Sequence, residues 1–287
     1  MRYTLIGYFT KDIAPNVPEG YVWGGTVTYS GLVAAELGVD VTVLTIGEPH
    51  PSPANLDSRV KWHIHPTPQT TTFDNQYDKV TGKRHQLMPA RAGDIPVEMV
   101  QKLDPTQNIV HLAPLGNEVS PEIAAQFQNA WVVATPQGWM RQVDENYHVH
   151  KVAWHDADQM LPYLKAICLS EEDVQGDIDT VRSWAAAGPT VLYTRGPNGA
   201  ILMYGGQEIA IKAAPAEVSD PTGAGDVIAV AFFIRYYETG DPIEAAIFGT
   251  VAASIIIEHQ GVSHLPNYAE IEARRQHWSR EDALGLK

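Results

Sequence analysis

The chain has 287 residues, enough for one large domain or two smaller ones whose cores need no disulfide or metal support. With 20 basic and 34 acidic side chains its formal net charge is −14, which disfavours the basic face that nucleic acids and anionic membranes require. The single cysteine, Cys168, excludes an internal disulfide framework. Because the sequence has no targeting or membrane-spanning signature, we expect a cytoplasmic protein without nucleic-acid or membrane partners.

Short runs of β-branched and aromatic residues alternate with helical stretches along most of the chain. Continuous apolar runs such as residues 41–46 indicate strands that are covered on both faces. The predicted strands are residues 3–7, 41–46, 109–112, 131–134, 166–169, 190–194, 200–204 and 208–212. The predicted helices are residues 26–37, 120–129, 179–187, 227–238 and 245–257. This alternation predicts an α/β fold with a largely parallel sheet.

Residues 62–90 interrupt this alternation. They are rich in Thr, His, Gln and Tyr and have no helical period, and residues 70–77 and 83–88 predict a hairpin that turns around 79–82. A β excursion from an α/β core suits a lid or a subunit contact, and a surface hairpin without a role remains the alternative.

The most specific signal is the string Asp220-Pro-Thr-Gly-Ala-Gly-Asp226, which leads directly into an apolar helix. Two glycines let several backbone N–H groups converge, and the helix N-terminus adds partial positive charge. The string therefore predicts an anion site that suits a transferring phosphoryl group and needs no lysine. Asp226 also suits the first turn of a helix, so a structural role stays open for it.

The string 220–226 resembles the C-terminal signature of the ribokinase-like, pfkB-type carbohydrate kinases. Three further elements lie in the family's order, at Gly7 to Asp12, at Gly24-Gly25 with Tyr29, and at Thr194 to Gly199. The resemblance spans about residues 3 to 275. It implies a single ribokinase-like, three-layer α/β/α domain over residues 1–287 with a mostly parallel sheet, and a small β lid formed mainly by about 62–90 and part of 8–24.

The resemblance also implies the residues of an active site. Asp226 would be the base that takes the proton from a substrate hydroxyl, while amides of residues 222–225 would hold the charge that develops on the phosphoryl oxygens. The other implied residues are Gly223, Ala224 and Gly225 in the catalytic loop, Asp12, Gly24, Gly25, Asn75, Arg84, Gln137 and Arg141 for the substrate, and Thr194, Gly196, Gly199, Thr222, Thr250 and Ala253 for the nucleotide. Core packing is an equal alternative for Thr250 and Ala253, and a surface salt bridge for Arg141.

ATP and Mg²⁺ are the cofactors that the resemblance implies, with a monovalent cation left open. Many family members organise magnesium through an N-x-x-E motif, but here residues 169–173 read Leu-Ser-Glu-Glu-Asp. Either Glu172 or Asp173 would then act through water, because magnesium keeps several waters. A helix N-terminus capped by Ser170 is the competing interpretation.

Lys83 and Arg84 are the only basic pair near the expected lid, so we favour an unphosphorylated sugar or cyclic polyol, while Arg84 leaves a sugar phosphate open. Residues 7–12, 70–75, 220–226 and 254–261 resemble the myo-inositol 3-kinase-like subgroup. A nucleoside kinase, with Phe9, Trp23 and Phe73 forming a slot for the base, is one alternative. A ligand-binding relative without turnover is another, and both a monomer and a lid-mediated homodimer remain open.

Overall fold

The computed structural model describes residues 1–49, 57–77, 84–104, 106–261 and 263–286, except for the side chains of Tyr77 and Arg84. The predicted turn of the hairpin at 79–82 lies outside the described residues. The strands are β1 (Arg2–Ile6), β2 (Thr10–Ile13), β3 (Tyr21–Gly24), β4 (Asp40–Gly47), β5 (Val60–Pro66), β6 (Thr72–Tyr77), β7 (Arg84–Ala90), β8 (Ile109–Leu112), β9 (Trp131–Ala134), β10 (Arg141–Val143), β11 (Val149–Lys151), β12 (Leu164–Ser170), β13 (Thr190–Thr194), β14 (Ala200–Tyr204) and β15 (Gln207–Ile211).

The α-helices of the described residues are, in chain order, α1 (Thr26–Glu36), α2 (Val97–Val100), α3 (Pro121–Ala124), α4 (Ala157–Met160), α5 (Ile178–Ala186), α6 (Ala224–Thr239), α7 (Pro242–Ile256), α8 (Tyr268–Arg275) and α9 (Arg280–Leu284). None of these helices has the length and apolar character that crossing a bilayer requires.

One large sheet organises the molecule, with strands in the order β15-β14-β13-β12-β9-β8-β1-β4-β5. The pairs from β13 to β5 are parallel, while β14 and β15 add an antiparallel edge. Helices cover both faces, and the expected α/β fold with a mostly parallel sheet is confirmed. The carboxyl ends of the parallel strands meet at one edge, which is where open α/β sheets bind their ligands.

The strands are apolar on both faces because each face of the sheet carries its own core. Tyr3 and Leu5 of β1 point into a cluster that contains α6 and α7, whereas Ile6 points into a second cluster on the opposite face. α6 and α7 are largely apolar and mostly buried, as expected for helices inside the core of a large domain.

A second, four-stranded sheet has the order β3-β2-β6-β7. β6 and β7 form the antiparallel hairpin that the sequence predicts, and β2 and β3 come from the segment between Gly7 and α1. Residues 60–66 form β5 and extend the main sheet instead. The small hairpin of β10 and β11 lies beside β7, where Met88 N–H donates to the carbonyl of Tyr147.

One helix is shorter than its sequence predicts. Ser120 and Pro121 start α3 as expected, but the helix ends at Ala124 and not at residue 129. After that point the amides of Gln126 and Phe127 bond three residues back, to Ile123 and Ala124, so the chain leaves the α-helical pattern through tight turns.

Candidate active site

The predicted site residues lie where the parallel strands end and the second sheet begins. Only three residues, 7–9, separate the end of β1 from the start of β2, so the second sheet stands directly at this edge of the main sheet. The loops after β9, β12 and β13 leave the main sheet at the same edge. Side chains from distant parts of the sequence are thereby brought to one cleft.

The loop 220–226 turns into α6 through Gly223, which has a φ of 81° and therefore a left-handed conformation that favours glycine. Thr222 N–H donates to Asp220 Oδ1 at 2.9 Å, and Ala224 N–H donates to the carbonyl of Pro221 at 3.2 Å. These two amides are engaged, which corrects the expectation that all amides of 222–225 face the ligand.

The remaining amides of this loop are open to a ligand. Gly225 and Asp226 occupy the first turn of α6, where backbone N–H groups have no partner within the helix. No acceptor for the amides of Gly223, Gly225 or Asp226 occurs among the described residues. A Cβ added to Gly225 would meet nothing within 4 Å, so the space in front of the loop is open.

Asp226 has the properties of a proton acceptor that works near neutrality. Its partly buried carboxylate is withdrawn from water, which raises its pKa from 3.8 to about 7, although the hydroxyls of Ser30 and Thr26 partly oppose this shift. Ser30 Oγ lies 3.4 Å from Asp226 Oδ1. A general base is most effective when its pKa lies close to the working pH.

Asp12 is held against the glycine pair that begins α1. Thr10 Oγ1 donates to Asp12 Oδ1 at 2.8 Å. A Cβ on Gly24 would lie 2.3 Å from Asp12 Oδ2, and a Cβ on Gly25, whose φ is 91°, would lie 2.6 Å from the carbonyl oxygen of Tyr8. Both glycines are therefore required by close approach, and Gly24 makes room for the carboxylate of Asp12.

Tyr29 shows that the predicted substrate and base residues share one cleft. Burial and then the charges of Asp12, Asp226 and Asp220 raise the pKa of the Tyr29 phenol to about 12. The charges of all three aspartates therefore act on this one hydroxyl. The sequence signature contains Tyr29 but does not reveal this electrostatic environment.

One face of the second sheet carries the other predicted substrate residues towards the main domain. Asp12 pairs with Phe73 across β2 and β6, so their side chains share a face, and Asn75 follows on that same face. Phe73 is buried in the core, which fixes the direction of this face. Asn75 Oδ1 accepts a hydrogen bond from Gln86 Nε2 at 2.8 Å. The prediction for the Arg84 side chain lies outside the described residues.

Gln137 and Asp173 meet although they follow different strands. Gln137 Nε2 donates to Asp173 Oδ1 at 3.1 Å, while Asp173 Oδ2 accepts from the amide and hydroxyl of Ser170 at 2.8 Å. Ser170 ends β12, and α5 begins only at Ile178 with Asp177 as its cap, so Ser170 does not cap a helix. Glu172 is exposed, which leaves Asp173 as the better-placed candidate for a magnesium water shell.

Arg141 is the first residue of β10 and follows Gln137 by four residues in the chain. Its Nη1 lies 3.5 Å from the carbonyl oxygen of Leu115, in the loop that follows β8. The side chain is partly buried, whereas the alternative of a surface salt bridge would place it at an exposed position.

The turn after β13 has the tight geometry that the sequence predicts. Gly196 and Gly199 both have positive φ, and a Cβ on Gly199 would lie 2.1 Å from the carbonyl oxygen of Ile211. Thr194 Oγ1 donates to the carbonyl of Leu169 at 3.2 Å. On α7, Thr250 is buried and donates to the carbonyl of Ala246, which fits core packing, while Ala253 is partly buried.

Glu118 is a feature of the site region that the sequence reasoning missed. Its fully buried carboxylate accepts hydrogen bonds from the amides of Tyr8, Leu115 and Gly116. Burial raises its pKa and these amides oppose the rise. An acidic residue in a loop of otherwise apolar and small residues, 113–119, was the available signal. It ties the chain after β1 to the chain after β8.

The described residues contain no cluster of three or more His, Cys, Asp or Glu side chains that could hold a metal ion. Magnesium in phosphoryl-transfer sites keeps several waters and takes one or two carboxylates, so such a cluster is not required for it. Asp173 fits that limited role because its carboxylate lies beside Gln137 at the strand ends.

Comparison with known proteins bears on the family and the fold. Residues 136–268 match the model of the pfkB family carbohydrate kinases. A nucleoside kinase of Methanothermobacter thermautotrophicus is 36% identical over 85 residues, which is 29% of this chain and 27% of that protein. The chain therefore aligns with about a quarter of the length of this curated relative.

Solved structures match along nearly the whole chain. A pyrophosphate-dependent kinase of the ribokinase family, in complex with a pyrophosphate analogue and myo-inositol, has a TM-score of 0.79 and 21% identity, over 94% of this chain and 99% of that one. A pyrophosphate-dependent myo-inositol-1 kinase converted into a myo-inositol-3 kinase has a TM-score of 0.79 and 20% identity, with coverage of 96% and 99%. Ribokinase from Thermotoga maritima has a TM-score of 0.71 and 18% identity, with coverage of 96% and 99%.

At these identities the structural matches establish the ribokinase-like fold. The matched segment 136–268 contains both the loop 220–226 and the turn 194–199. The resemblance inferred from the sequence is thus confirmed: residues 136–268 match the pfkB family of carbohydrate kinases, and the chain as a whole has the ribokinase-like fold.

Proposed function

We propose that this protein transfers a phosphoryl group to a hydroxyl of an unphosphorylated sugar or cyclic polyol, with a myo-inositol-like acceptor favoured. The observation that carries the proposal is the raised pKa of Asp226 together with its position in the structure. A carboxylate with a pKa near 7 stands in the first turn of a helix whose amides form an anion site, in the cleft that also contains Asp12. This arrangement suits proton removal from an alcohol while negative charge moves onto a phosphoryl group.

In this mechanism each residue has one task. Asp12 accepts hydrogen bonds from acceptor hydroxyls and fixes the ring. Asp226 takes the proton of the reacting hydroxyl as its oxygen attacks phosphorus. Amides of Gly223, Gly225 and Asp226 stabilise the charge on the transferring oxygens. Mg²⁺, when bound with the donor, neutralises phosphate charge, and Asp173 would hold its water shell.

Two of the described basic side chains near the second sheet support an unphosphorylated acceptor. Lys11 Nζ lies 2.5 Å from Glu48 Oε2, and Arg91 Nη2 lies 2.5 Å from Asp94 Oδ1. A cation that already has a carboxylate partner is a poorer ligand for the second phosphate of a sugar phosphate. These pairs therefore favour a neutral acceptor.

The pair Asn75 and Gln86 is our candidate for the residues that select the reacting hydroxyl. They are hydrogen-bonded across β6 and β7 and lie eleven residues apart. In the related myo-inositol-1 kinase, two leucine substitutions that are also eleven positions apart convert it into a myo-inositol-3 kinase. This spacing supports a comparable role for the pair in this chain.

The phosphoryl donor has two candidates. ATP is the donor that the family resemblance implies, with Thr194, Gly196, Gly199 and Thr222 along its phosphates. Pyrophosphate is the second candidate, because the structural relatives with a TM-score of 0.79 are pyrophosphate-dependent. The anion site at 223–226 suits either donor, since backbone amides recognise the phosphate and not the base.

A panel of acceptors and donors tests the proposal. Inositols, ribose, fructose and nucleosides are each incubated with ATP or pyrophosphate, and ADP or phosphate release is measured together with the product by mass spectrometry. We expect turnover with a neutral polyol or sugar, no turnover with Asp226→Asn, and a changed product isomer with Asn75→Leu. Phosphorylation of nucleosides alone would favour the nucleoside kinase alternative, which the nucleoside kinase relative also supports.

The structure bears unequally on the two alternatives. Phe9 and Phe73 are buried in the core, so only Trp23 of the proposed base slot is partly exposed, which weakens the case for a nucleoside. The intact Asp226, with its raised pKa, weighs against a relative without turnover. Absence of turnover with every acceptor and both donors would favour that relative.

A further inference from the structure

A cavity outside the phosphoryl-transfer cleft has the features of a second binding site. Its volume is about 440 Å³, within the range of small-molecule sites, and it lies between the loop after β7, the loop after β8 and α4. Its polar lining includes Arg91, Asp94, Asn117, Trp154 and Asp156. The anion loop, Asp12 and the glycine pair do not line it. A smaller adjoining cavity of about 180 Å³ shares Asn117, Trp154 and Asp156 with it.

Trp154 supplies a polar group that has no partner in the described part of the chain. This side chain is only 6% exposed and lines both cavities, yet its Nε1–H has no acceptor among the described residues. Its ring stacks on Trp139 with centroids 4.7 Å apart and meets Trp184 edge-on, so the indole is fixed in place. A buried donor without an acceptor is unfavourable, and a bound hydroxyl or water oxygen would relieve that cost.

Trp139 lines both cavities as well, but its indole N–H has a partner. Trp139 Nε1 donates to the carbonyl of Val119 at 2.7 Å, so the stacked partner is satisfied. Asn117, which also lines both cavities, has a φ of 60°, a conformation that asparagine tolerates and that functional sites often contain.

The charges around the cavity define the chemistry of its ligand. Arg91 is paired with Asp94 at 2.5 Å, and Asp156 and Glu118 add two more carboxylates, so the lining carries no surplus positive charge for an anion. Hydroxyl groups satisfy this mixture, because one hydroxyl can accept from the indole N–H and another can donate to a carboxylate. We propose that the cavity is a second binding site for a small, neutral, polyhydroxylated ligand, distinct from the phosphoryl-transfer cleft.

Glu118 connects this site with the cleft. It lines the cavity, and its carboxylate holds the amide of Tyr8, whose carbonyl packs against Gly25. The residue immediately before Gly25 is Gly24, the glycine that lies against Asp12. The route is short, so a ligand in the cavity contacts the same framework that positions Asp12.

The test is isothermal titration calorimetry of the full chain with myo-inositol and with ribose, without a phosphoryl donor. We expect two binding events for at least one of these probes. Trp154→Phe, which removes the N–H, and Asp156→Asn, an exposed position that leaves the core intact, should each weaken one event about three- to tenfold. Trp62→Phe is the matched control, because Trp62 also has a buried Nε1 without a partner but does not line the cavity.

Asp12→Ala should weaken the binding event in the phosphoryl-transfer cleft and leave the binding event in the cavity unchanged. A single event that responds to Asp12→Ala alone, or no binding of either probe outside the cleft, would overturn the second site. Two events that respond to the cavity variants but not to Asp12→Ala would support the second site and count against the substrate role of Asp12. The failures of the two proposals are therefore distinguishable.

Discussion

Replacement of Asp226 by asparagine should make the protein increasingly more stable than the wild type as the pH rises. Burial raises the pKa of this carboxyl from 3.8 to about 7, so the folded state binds its proton more tightly than the unfolded state. Its contribution to stability is therefore complete below about pH 4 and is lost as the pH rises to about 7. A pKa difference of one corresponds to about 1.4 kcal/mol, so the wild type should lose at most about 3 kcal/mol between pH 5 and pH 8.

Partial exposure of Asp226 reduces this figure, and we expect about 2 kcal/mol. The assay is urea unfolding of the wild type and of Asp226→Asn at pH 5 and pH 8, followed by tryptophan fluorescence. Asparagine does not titrate, so the variant should gain about 2 kcal/mol on the wild type over this interval.

Asp220→Asn is the matched control in the same loop. The hydroxyl and amide of Thr222, and then the amide of Gly261, lower the pKa of Asp220. Its ionised form therefore stabilises the fold above about pH 4, and this variant should be less stable than the wild type at pH 8. The free energies of unfolding of Asp226→Asn and the wild type could instead differ by the same amount at both pH values. That result would mean that the pKa of the carboxyl is not raised, and it would remove the physical basis of its role near neutrality.

Three further predictions concern the cleft and the second sheet. Asp12→Ala should raise the acceptor KM about ten- to a hundredfold and leave the donor KM unchanged, because hydrogen bonds to a carboxylate are lost; an effect on the donor KM alone would reassign Asp12. Gly24→Ala should raise the acceptor KM similarly, since its Cβ would lie 2.3 Å from Asp12 Oδ2, whereas Gly20→Ala, in open space, should not. Hydrogen exchange in β6 and β7 should slow only when acceptor and donor are bound, and strong protection in the free protein would reject a mobile lid.

The elements that the sequence predicts best are those whose pattern is local. Residues 109–112, 131–134 and 190–194 are strands with the predicted bounds, because a short β-branched run between turn residues leaves few alternatives. The strand β5 was not predicted within the main sheet, since its alternation of polar and apolar residues suits an edge strand and a surface hairpin equally well.

The helix predicted at 120–129 shows a different limit. Its start has a specific signal, Ser120 followed by Pro121, but its end at Ala124 has none, because Gln126 and Phe127 are compatible with a helix and with turns. Helix ends depend on tertiary packing that a single sequence does not report.

For the candidate site, the sequence identifies residues more readily than contacts. The loop 220–226 and the glycine pair follow from backbone requirements, which a motif records directly. The hydrogen bond between Gln137 and Asp173 joins residues thirty-six apart and depends on the adjacency of β9 and β12. The influence of three aspartates on the pKa of Tyr29 depends likewise on how α1 packs beside α6. Such juxtapositions arise only from the fold.

The pH dependence of kcat/KM, with the best acceptor at saturating donor, tests most directly the claim that Asp226 removes the proton. The wild-type rate should rise with pH, reach half its maximum near pH 7, the pKa to which burial brings this carboxyl, and level off above that pH. Asp226→Asn should lose about 10²–10⁴-fold in rate and lose this pH dependence, while donor binding is retained. A variant that keeps near-normal turnover, or a wild-type rate that is flat from pH 5 to pH 8, would contradict the account.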